Sequence, residues 1–126
     1  MYSELILKFL KFSVVGFTGL ILDFSLTYLL REKAKINQYV ANSVGFSAAV
    51  VSNFFLNKYW TFLDSNPDVA YQFSKFLLIS ICGLLLNNGI IFILRLRDVQ
   101  FYFAKAMAIA IVVLWNFIMN YKYAFA

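Results

Sequence analysis

Charges are missing from this chain in four long blocks, and those blocks constrain the fold more than anything else in it. Residues 36–57 are 22 consecutive uncharged residues. Nineteen uncharged residues separate Lys75 from Arg95, and 16 separate Lys105 from Lys122, with Met107–Leu114 wholly apolar. The 19 residues between Lys11 and Arg31 carry one charge, Asp23. A helix rising 1.5 Å per residue needs about 20 residues to cross about 30 Å of hydrocarbon. Each block is near that length and none alternates as a strand does. A backbone in lipid must also satisfy its own N–H and C=O groups, which helices do. The sequence predicts an all-α integral membrane protein, one domain over residues 1–126, with four transmembrane helices at about 9–30, 39–60, 73–94 and 103–123.

Composition agrees. Hydrophobic residues are 63% and charged residues 13%, too few polar groups to cover a small soluble domain and too much hydrophobicity for disorder. Four spans leave only loops and tails of a 126-residue chain, with no room for a soluble catalytic domain. There is no His and one cysteine, Cys82, so neither an internal disulfide nor a transition-metal cluster is expected. The first apolar run is too long for a signal-peptide core and lacks a small-x-small cleavage site. Tyr39, Tyr59, Trp60, Tyr71, Tyr102, Tyr121 and Tyr123 fall near span ends, where amphipathic rings prefer the interface. Pro67 lies in the polar run Asp64–Asp68, read as the central loop.

An internal repeat is visible. Shifting by 64 lays residues 9–31 on 73–95, matching Phe9/Phe73, Lys11/Lys75, Phe12/Phe76, Gly19/Gly83 and Arg31/Arg95, with Asp23 on Asn87. Shifting by 63 matches Tyr39/Tyr102, Ala41/Ala104, Asn53/Asn116, Phe54/Phe117, Asn57/Asn120 and Phe62/Phe125. Matches at Lys, Gly, Asn and Arg carry the argument, because apolar segments resemble one another by composition. The expected architecture is a two-helix hairpin used twice, 9–62 and 73–125. Two helices return the chain to its starting side, so both copies insert in the same orientation.

Each span carries a small or polar stripe. Gly16, Gly19, Asp23 and Thr27 share a face by helical spacing, as do Gly45, Ala49, Asn53 and Asn57; Ala108, Val112, Asn116 and Asn120; and Ser80, Gly83 and Asn87. Packing through small residues and interhelical hydrogen bonds is the plain reading of these stripes. Asp23 asks for more, since a carboxylate in mid-membrane costs about 2.5–3.5 kcal/mol on insertion scales and marks function by default. Lys11 and Lys75 open spans one and three, while Lys58 and Lys122 close spans two and four. The predicted topology places all four on one membrane face, beside Asn57 and Asn120. Lysines with amide donors suit a phosphate head group; snorkelling to the interface is the plain alternative. Counting Lys8, that face has five Lys/Arg and the other has six, so the positive-inside rule leaves orientation open. The cations flank spans, so the net charge of +5 does not indicate nucleic acid. No Gly-rich phosphate loop exists and carboxylates are scarce, so no enzyme activity, catalytic residue, cofactor or metal is expected.

Two stretches resemble a known family. Lys11-Phe12, Val15-Gly16, Gly19 and Asp23 in the first span, then Asn53-Phe54 and Asn57-Lys58-Tyr59-Trp60-Thr61-Phe62 closing the second, look like the GtrA-like family of four-span membrane proteins. Asn116-Phe117 and Asn120-Tyr121-Lys122-Tyr123-Ala124-Phe125 resemble its second copy, with Tyr123 in place of the Trp and the Lys one position later. The Asn-Lys-x-Trp-Thr-Phe run, with Trp60 at the interface, is the most specific part. The resemblance implies translocation of polyprenyl-phosphate-linked sugars across the cytoplasmic membrane, for cell-surface polysaccharide or teichoic-acid glycosylation. It also implies cytoplasmic termini and a membrane glycosyltransferase partner.

The expected mechanism follows. Lys11, Lys58, Lys75 and Lys122 capture the lipid phosphate with Asn57 and Asn120, and Asp23, Asn53, Asn87 and Asn116 line a route for sugar hydroxyls. Two alternatives stand beside it. One is a non-transporting anchor for a glycosyltransferase, marked by co-purification of the enzyme without lipid movement. The other is a proton-coupled exporter of cationic compounds built on Asp23, which would release a proton on binding substrate and which the abundance of Lys disfavours. Four helices are few for enclosing a route, so a homodimer is a reasonable expectation.

Overall fold

The computed structural model describes residues 2–125, the side chain of Tyr39 excepted, so the interfacial placement expected of that ring lies outside the described residues. The described residues form four helices: α1 Tyr2–Tyr28, α2 Gln38–Leu56, α3 Val69–Leu96 and α4 Phe101–Met119. Three are extended by five-residue π-turns: Leu29–Lys33 after α1, Asn57–Thr61 after α2 and Asn120–Ala124 after α4. No strand occurs among the described residues.

The helix ends follow local chemistry. Asp68, directly after Pro67, caps α3 by accepting a hydrogen bond from the Tyr71 N–H, and Gln100 caps α4 by accepting from the Phe103 N–H at 2.9 Å. Side-chain oxygens at these positions satisfy donors that a helix N-terminus leaves free. Three helix exits turn through non-glycine residues with positive φ: Lys35 at 60°, Leu63 at 48° and Asp98 at 60°. After each, the chain donates back to the helix it has left: Ile36 N–H to Leu30 O at 2.9 Å, Asp64 N–H to Lys58 O at 2.7 Å and Val99 N–H to Leu94 O at 3.0 Å. These bonds fill carbonyls that a helix C-terminus leaves open.

Among the described residues, three helical stretches are long and apolar enough to cross a membrane: Tyr2–Lys33, Val69–Leu96 and Phe101–Ala124. α2, which carries Asn42, Ser43, Ser47, Ser52 and Asn53, is not among them. The first stretch runs 32 residues, about 48 Å at 1.5 Å per residue, so it tilts in a bilayer or projects beyond it. Large apolar side chains are left bare along the helices, among them Phe17, Phe24, Leu85 and Phe92. In water such a surface would aggregate; in lipid it is solvated. This is a multi-pass membrane protein.

The chain divides into two compact units, residues 1–65 and 66–126, one hairpin each, with the boundary in the polar loop. In the first, α1 packs on α2 around Val15, Ala41, Phe54 and Phe62; in the second, α3 packs on α4 around Phe76, Ile79, Ala104 and Phe117. Ala41 and Ala104 are fully buried, and with Gly19 and Gly83 they bring the backbones close. Phe12 and Phe62 meet at 6.3 Å between ring centroids with planes at 60°; Phe76 and Phe125 meet at 6.3 Å and 57°. Residues paired by the sequence shifts thus make the same contact in each hairpin.

Candidate functional site

The glycine stripe of α1 forms a groove with α2. Gly16, Gly19, Leu20 and Asp23 face Phe46, Ala49, Val50 and Asn53 around an open cavity of ≈ 200 Å³, room for about six waters at liquid density. A Cβ on Gly19 would fall within 2.8 Å of Asn53 Cγ, so only glycine lets this amide lie against α1. Lower in the hairpin, a Cβ on Gly45 would lie 2.6 Å from Asp23 Oδ1. Asp23 is half-buried and accepts one hydrogen bond from Thr27 Oγ1 at 3.2 Å. Asn53 Oδ1 is buried with no hydrogen-bond partner. The groove therefore presents the Asp23 carboxylate on otherwise apolar walls, while the Asn53 amide oxygen lies against Gly19 without a donor.

The second hairpin repeats part of this. A Cβ on Gly83 would lie 2.8 Å from Asn116 Oδ1, and that oxygen is also buried and unpartnered. Trp115 anchors the contact by donating its Nε1–H to Ile79 O at 3.2 Å. Asn87, at the position matching Asp23, is half-buried on α3.

At the loop-proximal end of the first hairpin, Lys11 Nζ sits 5.3 Å over the Trp60 ring, a cation–π arrangement. Asn57 is buried and accepts from Thr61 Oγ1 at 2.8 Å. Lys58 does not snorkel: it is 1% exposed, and its ammonium donates to Asp64 Oδ1 at 2.9 Å. In the second hairpin, Lys75 Nζ lies 4.5 Å from the Tyr71 ring centroid and donates to Tyr123 O at 3.3 Å. Asn120 is buried, donates to Asn116 O at 2.6 Å, and leaves its own Oδ1 without a partner. Lys122 is exposed.

The structure thus brings Asp23 together with Asn53, and Lys11, Asn57, Lys58 and Trp60 to one hairpin end. In the other hairpin, Asn116 and Asn120 are joined by a hydrogen bond. Two polar residues escaped the sequence reading. Asp64 lies six positions after Lys58, a separation that helical spacing does not bring face to face. Gln72 is 2% exposed and donates to Ala124 O at 3.2 Å; a glutamine at a span entrance carries no signal either.

The profile of the GtrA/DPMS transmembrane domain matches residues 11–125. No curated protein matches the chain. The match runs from the first lysine of the site to the last buried phenylalanine and takes in every residue of the candidate site. The chain belongs to the GtrA/DPMS transmembrane-domain family, membrane proteins that handle polyprenyl-phosphate-linked sugars.

Proposed function

We propose that this protein flips a polyprenyl-phosphate-linked sugar across the cytoplasmic membrane, supplying glycosylation of a surface polysaccharide or teichoic acid. All four helices span, the two hairpins insert in the same orientation, and the termini and central loop face the cytoplasm. No covalent chemistry is required of the chain, and a membrane glycosyltransferase charges the lipid it moves.

The observation that carries this reading is the pair of unpartnered amide oxygens, Asn53 Oδ1 and Asn116 Oδ1, each against a glycine of the facing helix. A buried acceptor without a donor costs about 1–3 kcal/mol. A sugar hydroxyl taken into hydrocarbon alone costs about 4–8 kcal/mol. Each deficit supplies what the other lacks: hydroxyls donate, and Asn53, Asn116 and Asp23 accept. Asn87 adds a further polar group in the second hairpin. The prenyl chain needs no protein and stays in lipid. In the first hairpin Lys11 and Lys58, assisted by Asn57, hold the phosphate at the cytoplasmic face; in the second, Lys75 and Lys122 with Asn120 offer cations and an amide at the corresponding end.

Proteoliposomes carrying a fluorescent short-chain prenyl-phosphate sugar test this. The wild-type chain is expected to move the lipid faster than protein-free vesicles, and Asp23→Asn and Lys58→Ala to slow it. Wild-type rates in both variants would remove these residues from the mechanism. Movement no faster than in empty vesicles would overturn the function.

A further inference from the structure

We infer that Lys58 is an anion site kept filled by the chain's own Asp64, and that the phosphate of the cargo lipid exchanges with this carboxylate. The inference rests on the reading above and names how its phosphate is admitted. Lys58 is 1% exposed, so no outside anion reaches its ammonium while Asp64 is in place at 2.9 Å. The same residue closes the site twice, since the Asp64 N–H also donates to Lys58 O at 2.7 Å.

The segment that delivers Asp64 turns through one left-handed residue. Leu63 has φ 48°, a left-handed conformation that a branched L-residue adopts reluctantly. Its side chain is 74% exposed, so the turn is anchored through Phe62 and Asp64 on either side and not through Leu63 itself. Beyond it lies the polar run ending in Asp68. A buried ion pair is itself weak evidence of stability, because desolvation offsets most of the attraction. What the ammonium requires is an anion with oxygen acceptors, and a phosphate meets that requirement with more charge. The buried, hydrogen-bonded Asn57 and Thr61 share the π-turn with Lys58, and Lys11 over Trp60 places a second cation at the same hairpin end.

The arrangement is confined to the first hairpin. Under the shift of 63, Tyr121 stands where Lys58 does and Ala124 where Thr61 does. The two hairpins therefore divide the work: one holds a gated anion site and the other does not.

Binding of farnesyl monophosphate to the full chain in detergent tests the exchange, with farnesol as the uncharged control and inorganic phosphate as the lipid-free anion. Asp64→Asn is expected to bind farnesyl monophosphate at least about fivefold more tightly than wild type. Farnesol binding should not change, and the gain should vanish in Asp64→Asn/Lys58→Met. Inorganic phosphate should gain in parallel while binding more weakly throughout; equal affinity for the two would overturn the lipid as its source. Hydrogen exchange on the wild-type chain needs no variant to fold: farnesyl monophosphate should speed exchange of the Asp64 amide while leaving the helices unchanged. Unchanged affinity in Asp64→Asn, or an Asp64 amide that is unaffected or slowed, overturns the exchange. Phosphate-lipid binding that survives Asp64→Asn unaltered but is lost in Lys11→Ala overturns it while leaving the proposed function standing. No binding of the phosphate lipid by the folded wild type removes both.

Discussion

Asn53 and Asn116 make an unusual combination of stability and function testable at single positions. An unpartnered buried amide oxygen is a liability to the empty fold, so removing it should not weaken the protein. Asn53→Ala and Asn116→Ala are expected to melt in detergent at or above the wild-type temperature while lipid movement falls at least about tenfold, the loss of one good hydrogen bond in the rate-limiting state. Melting and movement falling together would make these amides structural. Lys58 behaves oppositely. Lys58→Met strands Asp64 and should cost about 3–5 kcal/mol, while Lys58→Met/Asp64→Leu should recover most of it, because an apolar pair replaces a buried ion pair at little cost. The lysine itself was legible from its place at a span end, and so was its plain alternative of snorkelling. Its burial was not legible, because that depends on Leu63 turning left-handed and returning Asp64 to the helix, a backbone choice no side-chain pattern encodes.

At the scale of a helix pair, the glycines separate into those that touch and those that do not. Gly19 and Gly16 lie on one stripe, yet a Cβ on Gly19 collides with Asn53 while a Cβ on Gly16 meets nothing within 4 Å. Gly19→Ala should destabilise by about 1–3 kcal/mol, the usual cost of overpacking, and Gly16→Ala should stay within about 0.5 kcal/mol; chemical unfolding in detergent measures both. The stripe was readable from helical spacing, which assigns residues to a face. Spacing says nothing of which glycine stands at the crossing point, so the distinction needed coordinates. The same holds for the π-turns after α2 and α4. The sequence shift aligned Asn57 with Asn120 and Phe62 with Phe125, but not the widened hydrogen bonds from the Phe62 and Phe125 N–H groups to Asn57 O and Asn120 O at 2.9 Å. Such turns often mark functional positions in helices, and here they fall at both lysine-bearing ends.

For the whole molecule, the gaps between charges located every helix, because excluding charge from hydrocarbon is the strongest demand a bilayer makes on sequence. α1 begins at Tyr2, ahead of the expected span at 9, because Ser3–Lys8 continue the helix without lying in a charge gap. α2 is where the reading is thinnest, with its amides and hydroxyls trading lipid solubility for packing against α1. Whether it spans is decided by single cysteines introduced at Ser3, Lys35, Ser65 and Asp98 in a Cys82→Ser background and labelled with an impermeant maleimide. The proposed topology puts Ser3 with Ser65 and Lys35 with Asp98; Ser65 labelling with Lys35 would mean that α2 does not cross. The central claim, that orphaned amides in a glycine-lined membrane fold carry sugar hydroxyls through lipid, meets its most direct test in transbilayer movement of a prenyl-phosphate sugar by Asn53→Ala/Asn116→Ala. The account predicts a protein that folds as well as wild type and moves the lipid no faster than empty vesicles. Wild-type movement by that folded double variant would contradict it.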